Sequence, residues 1–299
     1  MSLHAQITRE IREGPTGSKI GALFDLDQTL LAGFSATSFV RERFVTGRMS
    51  PQELGTTFYG ALSFALGRTG FSALMSATTA AYRGLAESML EEVGEEVFVK
   101  HLAKQIYPEA RAIVQAHQEA GHTVAIISSA TRYQAEPLAR DMGIEHVLCT
   151  ELEVENGVFT GEVVRPTCYG EGKAIAGRVL AEREGLDLEE SYFYTDSHED
   201  LPLLEAVGRP RPLNPNRQLA QIAKERQWPV RRFSSRGRPG VGDLVRTGLT
   251  YASLIPAIWA GAAAGIVNGS YREAINVSPA VWGDLPTLSP IPILRRRGD

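Results

Sequence analysis

Cysteine is nearly missing from this chain: among 299 residues only Cys149 and Cys168 carry a thiol. Two thiols at that spacing exclude a disulfide framework and make neither a C-x-x-C redox motif nor a metal-ligand pair. They read as packing residues of a reducing compartment. A strong charge of either sign is missing too. Lys and Arg total 31 against 35 Asp and Glu, a net charge of −4, with a pI near 5.9. No whole-protein field gathers nucleic acid, so that partner class is set aside. The polar first 18 residues lack the apolar core of a secretory signal. The expectation is therefore a cytoplasmic start. What is present is ordinary for soluble domains, 43% apolar and 22% charged, with length for one large or two ordinary domains.

The most informative stretch runs from Lys19 to Leu31: an apolar run, Asp25 and Asp27 two residues apart, Thr29, then more apolar residues. The run before Asp25 predicts a buried strand of a parallel sheet, apolar throughout because both faces are covered. Ligands of open α/β sheets bind beyond the carboxyl ends of the strands, where these two aspartates would stand. Carboxylates suit a core poorly unless paired or metal-bound. The ordinary alternative is an aspartate pair capping a helix.

The rest of the chain follows an α/β pattern with one interruption. Residues 1–18 are expected to be a disordered lead-in. Residues 19–34 and 106–233 are expected to form an α/β core, and 35–105 a helical cap with helices at Ala36–Thr46, Pro51–Gly67, Phe71–Arg83 and Glu87–Lys104. Arg41, Arg43, Arg48, Arg68 and Arg83 in that insert could meet an anionic substrate, although a solvated helix face is the ordinary reading of each. Pro108 opens a helix that Gly121 ends. A strand follows at 122–131, ending in Ser128 and Ser129, with a helix at 133–142 behind it. Leu152–Val164 alternates about Asn156-Gly157, the pattern of a hairpin. Lys173 lies at the start of a helix that runs to about Glu184. Ser191–Thr195 is a third strand, ending at Asp196 and Asp200. Pro210–Leu213 and Val230–Phe233 are short strand candidates about a helix at 215–227. The sum is an α/β fold, a doubly wound parallel sheet with an all-helical cap after its first strand.

Beyond Phe233 the composition shifts. Residues 234–246 are a linker, and 272–299 a tail without an evident role. Residues 247–271 carry no charge and approach the ~20 residues that cross a bilayer. Gly261 and Gly265 make a small-xxx-small pattern, and arginines crowd the N-terminal side. The run is a candidate membrane segment, spanning or re-entrant; the alternative is an Ala-rich helix docked on the core. On the membrane reading the protein sits at the inner face.

Asp25 and Asp27, Ser128, Lys173, and Asp196 and Asp200 are the parts phosphoryl transfer requires. It needs a nucleophile, a proton donor, and cations for the equatorial oxygens. A carboxylate does not approach a phosphate dianion unaided, so electrostatics asks for Lys173 and Mg²⁺ together, and oxygen ligands suit that ion.

These motifs, in this order, resemble the haloacid dehalogenase superfamily, and the cap between the first two resembles its phosphoserine-phosphatase-like subgroup. The resemblance spans roughly residues 19–233. It implies a phosphatase in which Asp25 is the nucleophile and Asp27 the general acid, then the base. Asp25, Asp196 and the Asp27 carbonyl would hold Mg²⁺. Ser128 and Lys173 would bind the phosphoryl group, Asp200 would orient Lys173 or the metal's water shell, and Thr29 would brace the loop. Three residues depart from the pattern. Gln28 stands where the family commonly has Gly, Thr195 replaces a frequent Gly, and Phe34 lies nine positions after Asp25, where phosphoserine phosphatases carry a Glu for the substrate ammonium. An apolar side chain cannot offset an ammonium, so phosphoserine is a poor expectation.

Residues 230–285 resemble, more weakly, the junction of bacterial fusions between a phosphatase-like domain of this superfamily and a glycerophospholipid acyltransferase. The leading expectation is a Mg²⁺-dependent hydrolase of a small-molecule or lipid-related phosphomonoester. The alternative is a catalytically silent domain that anchors or regulates a membrane glycerophospholipid enzyme.

Overall fold

A computed structural model describes residues 3–233; the expected linker at 234–246, candidate membrane segment at 247–271 and tail at 272–299 lie outside the described residues. In chain order the elements begin with α1 (Leu3–Arg12), β1 (Ile20–Phe24), α2 (Ser35–Val45), α3 (Pro51–Ala65), α4 (Phe71–Ala80) and α5 (Glu87–Val97). Next come α6 (Pro108–Glu119), β2 (Thr123–Thr131), α7 (Arg132–Asp141), β3 (His146–Thr150), β4 (Leu152–Glu155) and β5 (Val158–Val163). The last are α8 (Glu171–Glu184), β6 (Asp187–Thr195), α9 (Leu201–Ala206), β7 (Arg209–Pro212) and α10 (Arg217–Glu225). Among the described residues no helix is long and apolar enough to cross a membrane.

The main sheet has five parallel strands in the order β3-β2-β1-β6-β7, so the chain winds outward to both sides of β1. Successive side chains of a strand point to opposite faces, and two separate cores result. Phe24, Ile126, Tyr192 and Tyr194 join one core, while Leu23, Ile127 and Phe193 join the other. This is why the central strands are apolar throughout rather than alternating.

Between β1 and α6 the chain is helical, as expected, with Ser50 capping α3 by accepting the Glu53 N–H at 3.1 Å. The β4–β5 hairpin leaves the main sheet and joins this cap. Ala86 bridges Val158, and Phe159 exchanges backbone hydrogen bonds with Gly84 and Leu85. Cap and core also meet where Phe71 stacks on Tyr169 at 4.5 Å and Ser72 bonds Thr167 at 3.0 Å.

Two expectations need correction. The lead-in is not disordered: α1 buries Ile7 and Ile11, one turn apart, and Arg12 pairs with Glu119 of α6 at 2.9 Å. Its apolar stripe is narrow but repeats every four residues, enough for a helix that has a surface to lie on. Val230–Phe233 forms no strand and contributes one bridge, Arg231 to Leu213.

A polar chain runs through the larger core. The His122 Nε2 lies 2.9 Å from the Pro15 carbonyl, which can only accept, so that nitrogen donates. Neutral His122 then accepts at Nδ1 from His117 Nδ1 at 2.7 Å, and His117 Nε2 accepts the Tyr194 hydroxyl at 2.8 Å. An added proton on His117 Nε2 would displace the Tyr194 hydroxyl proton that now occupies that nitrogen. Burial, then His122 and Arg211, hold this imidazole well below its ordinary 6.5. The unfolded chain therefore binds a proton that the folded chain refuses, and stability declines as pH falls below 6.5. Urea unfolding between pH 7.5 and 5.5 should lose about 1.4 kcal/mol in all through this residue, most of it below pH 6.5. His117→Phe should remove that part of the slope, and equal slopes in the two proteins would refute the assignment.

Candidate active site

The register of β1 on β6 sets Phe24 opposite Tyr194, so Asp25 and Thr195 emerge at adjoining strand ends. The Asp25 N–H donates to the Tyr194 carbonyl at 2.9 Å. Asp196 and Asp200 follow Thr195 before α9, Ser128 lies near the end of β2 on the other side of β1, and Lys173 is in the first turn of α8. The candidate residues are thus gathered at the carboxyl ends of three neighbouring strands and one helix start.

Lys173 joins them. Only 3% exposed, its Nζ donates to Asp25 Oδ1 at 2.7 Å and to Asp200 Oδ2 at 2.8 Å. Thr195, the departure before the metal-type aspartate, donates its hydroxyl to the same Asp200 oxygen at 2.6 Å. Burial alone would lower the Lys173 ammonium, but the charges of Asp200 and Asp25 outweigh it and raise it. Burial pushes the Asp25 carboxyl up to about 6 against the pull of Lys173. Close backbone approach puts Lys173 there: a Cβ on Gly172 would lie 1.9 Å from the Thr167 carbonyl oxygen, so only glycine allows this start to α8.

Asp27 has a different partner, one the sequence did not disclose. Ser35 donates its N–H to Oδ1 at 2.8 Å and its hydroxyl to Oδ2 at 3.1 Å. Asp27 therefore receives the first turn of α2 as a cap residue would, from eight positions upstream. Ser35 is the first residue of α2, and a serine at a helix start is the only signal the sequence carried. Burial still dominates and pushes the Asp27 carboxyl up to about 7, opposed by these bonds.

Ser128 is buried and its Oγ accepts the Ala130 N–H at 3.2 Å, leaving the hydroxyl proton to donate. Asp196 is half-buried, and its carbonyl accepts the Asn216 N–H at 2.8 Å, fixing the loop to the start of α10. Thr29 does not brace the loop as expected. It is fully buried, and its hydroxyl meets no hydrogen-bond partner among the described residues. The backbone braces instead: the N–H groups of Leu30 and Leu31 both donate to the Leu26 carbonyl, at 2.9 and 3.0 Å. Burial pushes the Cys149 and Cys168 thiols up to about 12, so neither is a thiolate nucleophile at neutral pH.

The cap arginines divide. Arg43, Arg48 and Arg83 pair with Glu53, Glu96 and Glu162, whereas Arg41 lines a cavity of about 340 Å³ between the cap and Asp27. Phe34 lines the same cavity. Gln28, in the place of a frequent glycine, has φ 60°, a left-handed conformation that costs a residue with a Cβ about 1–2 kcal/mol. Gln28→Gly should raise the unfolding free energy by about 0.5–1 kcal/mol after glycine's own entropic penalty. A lower urea midpoint in that variant would contradict the strain.

Comparison with known proteins agrees with this geometry. The family model for haloacid dehalogenase-like hydrolases matches residues 22–205. A probable phosphatase of Mycobacterium tuberculosis is 34% identical over 220 residues, covering 73% of this chain and 76% of the relative. A phosphoserine phosphatase of the same organism is 33% identical over 226 residues, 74% of this chain and 73% of the relative. The crystal structure of a protein of unknown function from Bordetella pertussis Tohama I superposes with a TM-score of 0.66 at 29% identity, over 72% of this chain and 98% of that one. With its motifs at the ends of a parallel sheet and the family model matching from β1 into α9, the chain belongs to the haloacid dehalogenase-like hydrolase family.

Proposed function

We propose that this protein is a Mg²⁺-dependent phosphomonoester hydrolase that works through an aspartyl-phosphate. The observation that carries the reading is the buried Lys173 bridge between Asp25 and Asp200, with Asp27 beside it and its carboxyl raised to about 7. An Asp25 oxygen attacks phosphorus, the P–O bond to the alcohol breaks, and Asp27 gives the departing oxygen its proton. Asp27, now a carboxylate, takes a proton from water. That water's oxygen attacks phosphorus, releasing inorganic phosphate and restoring the Asp25 carboxylate. Ser128 and Lys173 hold the transferring group's oxygens, and Asp200, steadied by Thr195, orients Lys173.

The residues suit a magnesium ion. One ammonium faces two carboxylates, so the cluster is net negative before any phosphate arrives. Among the described residues no three His, Cys, Asp or Glu side chains form a ready-made cage. That is the usual situation for Mg²⁺, which binds through one or two carboxylates together with water and phosphate oxygens. The Asp25 and Asp196 carboxylates and the Asp27 carbonyl would hold it, and when bound it would offset the repulsion between carboxylates and phosphate.

The substrate on this reading is a small-molecule or lipid-related phosphate. The uncharged run at 247–271 supports a site at the inner face of a membrane.

Asp25→Asn should abolish phosphate release from every ester while leaving the urea midpoint near that of wild type; retained turnover would end the assignment. Asp27→Asn should discriminate between leaving groups. An alkyl phosphate, whose alkoxide needs a proton, should lose about 10²- to 10⁴-fold in kcat. p-Nitrophenyl phosphate, whose phenolate leaves without one, should lose far less, and equal losses would remove Asp27 as the acid. Protein stripped with EDTA should be inactive until Mg²⁺ is restored.

A further inference from the structure

The cavity above Asp27 has a chemistry that the family assignment does not specify. Its walls come mostly from the cap and include Phe34, Phe39, Phe58, Leu74 and Met75, with Ser129–Thr131 and Gln134 of the core on the other side. Several polar side chains on its surface already bond to the protein. Ser35 is held by Asp27, Thr78 donates to the Leu74 carbonyl at 3.0 Å, and Thr131 donates to Gln134 at 2.9 Å. Asp27 and Arg41 are the only charged residues lining it among the described residues. Phe34, at the N-cap of α2 and next in sequence to the serine that grips Asp27, is 61% exposed. Single exposed rings are ordinary, but this one continues the apolar lining of the cavity toward Asp27.

We infer that the alcohol portion of the substrate is uncharged and apolar, a hydrocarbon chain or ring carried on a phosphomonoester and seated in this cavity. The inference rests on the hydrolase reading and names its substrate class. An amino alcohol is the wrong match. Its ammonium would find no carboxylate in the cavity except Asp27, which is bonded to Ser35 and has its own proton to manage, and Arg41 would repel it. An apolar chain, in contrast, gains from every methylene withdrawn from water. At about 340 Å³ the space lies at the low end of small-ligand pockets, so the gain must level off at modest chain length.

The test is kcat/KM across ethyl, butyl, hexyl and octyl phosphate, with 1-naphthyl phosphate, lysophosphatidic acid, phosphoserine and phosphoethanolamine alongside. The alkyl series should climb by up to about fourfold per methylene and then flatten. Phosphoserine and phosphoethanolamine should trail hexyl phosphate by at least tenfold. Naphthyl phosphate against lysophosphatidic acid separates an aromatic from a lipid source. Phe34→Glu should lower the hexyl ester and raise phosphoethanolamine, whereas Phe34→Leu should keep the original order. A flat alkyl series with turnover throughout, or amino esters in front, overturns the apolar site and leaves the hydrolase standing. Absence of turnover on every ester overturns the hydrolase instead. The cavity is then judged by calorimetric binding of the same alkyl phosphates to Asp25→Asn, where affinity should rise with chain length and a flat result overturns it.

Discussion

A lysine that is 3% exposed between two carboxylates is the constraint on which the site depends. An unpaired ammonium at that depth would be severely destabilising, and two unpaired carboxylates hardly less so. Each charge is tolerable only because the others are within hydrogen-bond distance. The requirement ties three distant segments together: the end of β1, the start of α8 and the turn before α9. Gly172 allows α8 to begin against the Thr167 carbonyl, and Thr195 turns its hydroxyl onto Asp200. A buried ion pair is weak evidence for stability. Its placement at the carboxyl ends of the central strands, two residues from the cavity-lining Asp27, is better explained by chemistry.

The sheet supplies the positions. Because β1 is central and parallel to both neighbours, its carboxyl end is flanked by those of β2 and β6. Ser128 and Asp196 therefore arrive on opposite sides of Asp25 without any long loop to place them. Helices on both faces keep the strands dry, and the apolar alternation of Leu23 with Phe24, or Phe193 with Tyr194, assigns each residue to one core or the other.

Much of this was legible in the sequence because the signals are local. The apolar run into Asp25, the Asn156-Gly157 turn and the glycines before Lys173 each reflect a backbone demand within a few residues. Cap helices were legible for the same reason, since Pro51 and the glycines near 67 and 70 punctuate them. What escaped is what depends on a distant partner. α1 holds its place through α6, and β3, a short edge strand whose residues are mostly half-buried, has little pattern of its own. Thr29 looked like a hydrogen-bonding brace, but once the loop closes its hydroxyl faces no acceptor. Ser35 was hidden because its bond runs back to Asp27, across a loop whose shape the sequence does not reveal.

That same bond gives the cap a second task. The first turn of α2 presents its N–H and hydroxyl to Asp27, while the residue just before it, Phe34, faces the cavity. On the proposed mechanism, one helix end thus touches both the proton donor and the space for the leaving group. Hydrogen bonds to the Asp27 carboxylate favour the ionised form, while burial favours the protonated one. One packing contact, Phe34 beside the Ser35–Asp27 bond, thus couples the shape of the apolar site to the position of the carboxylate next to it.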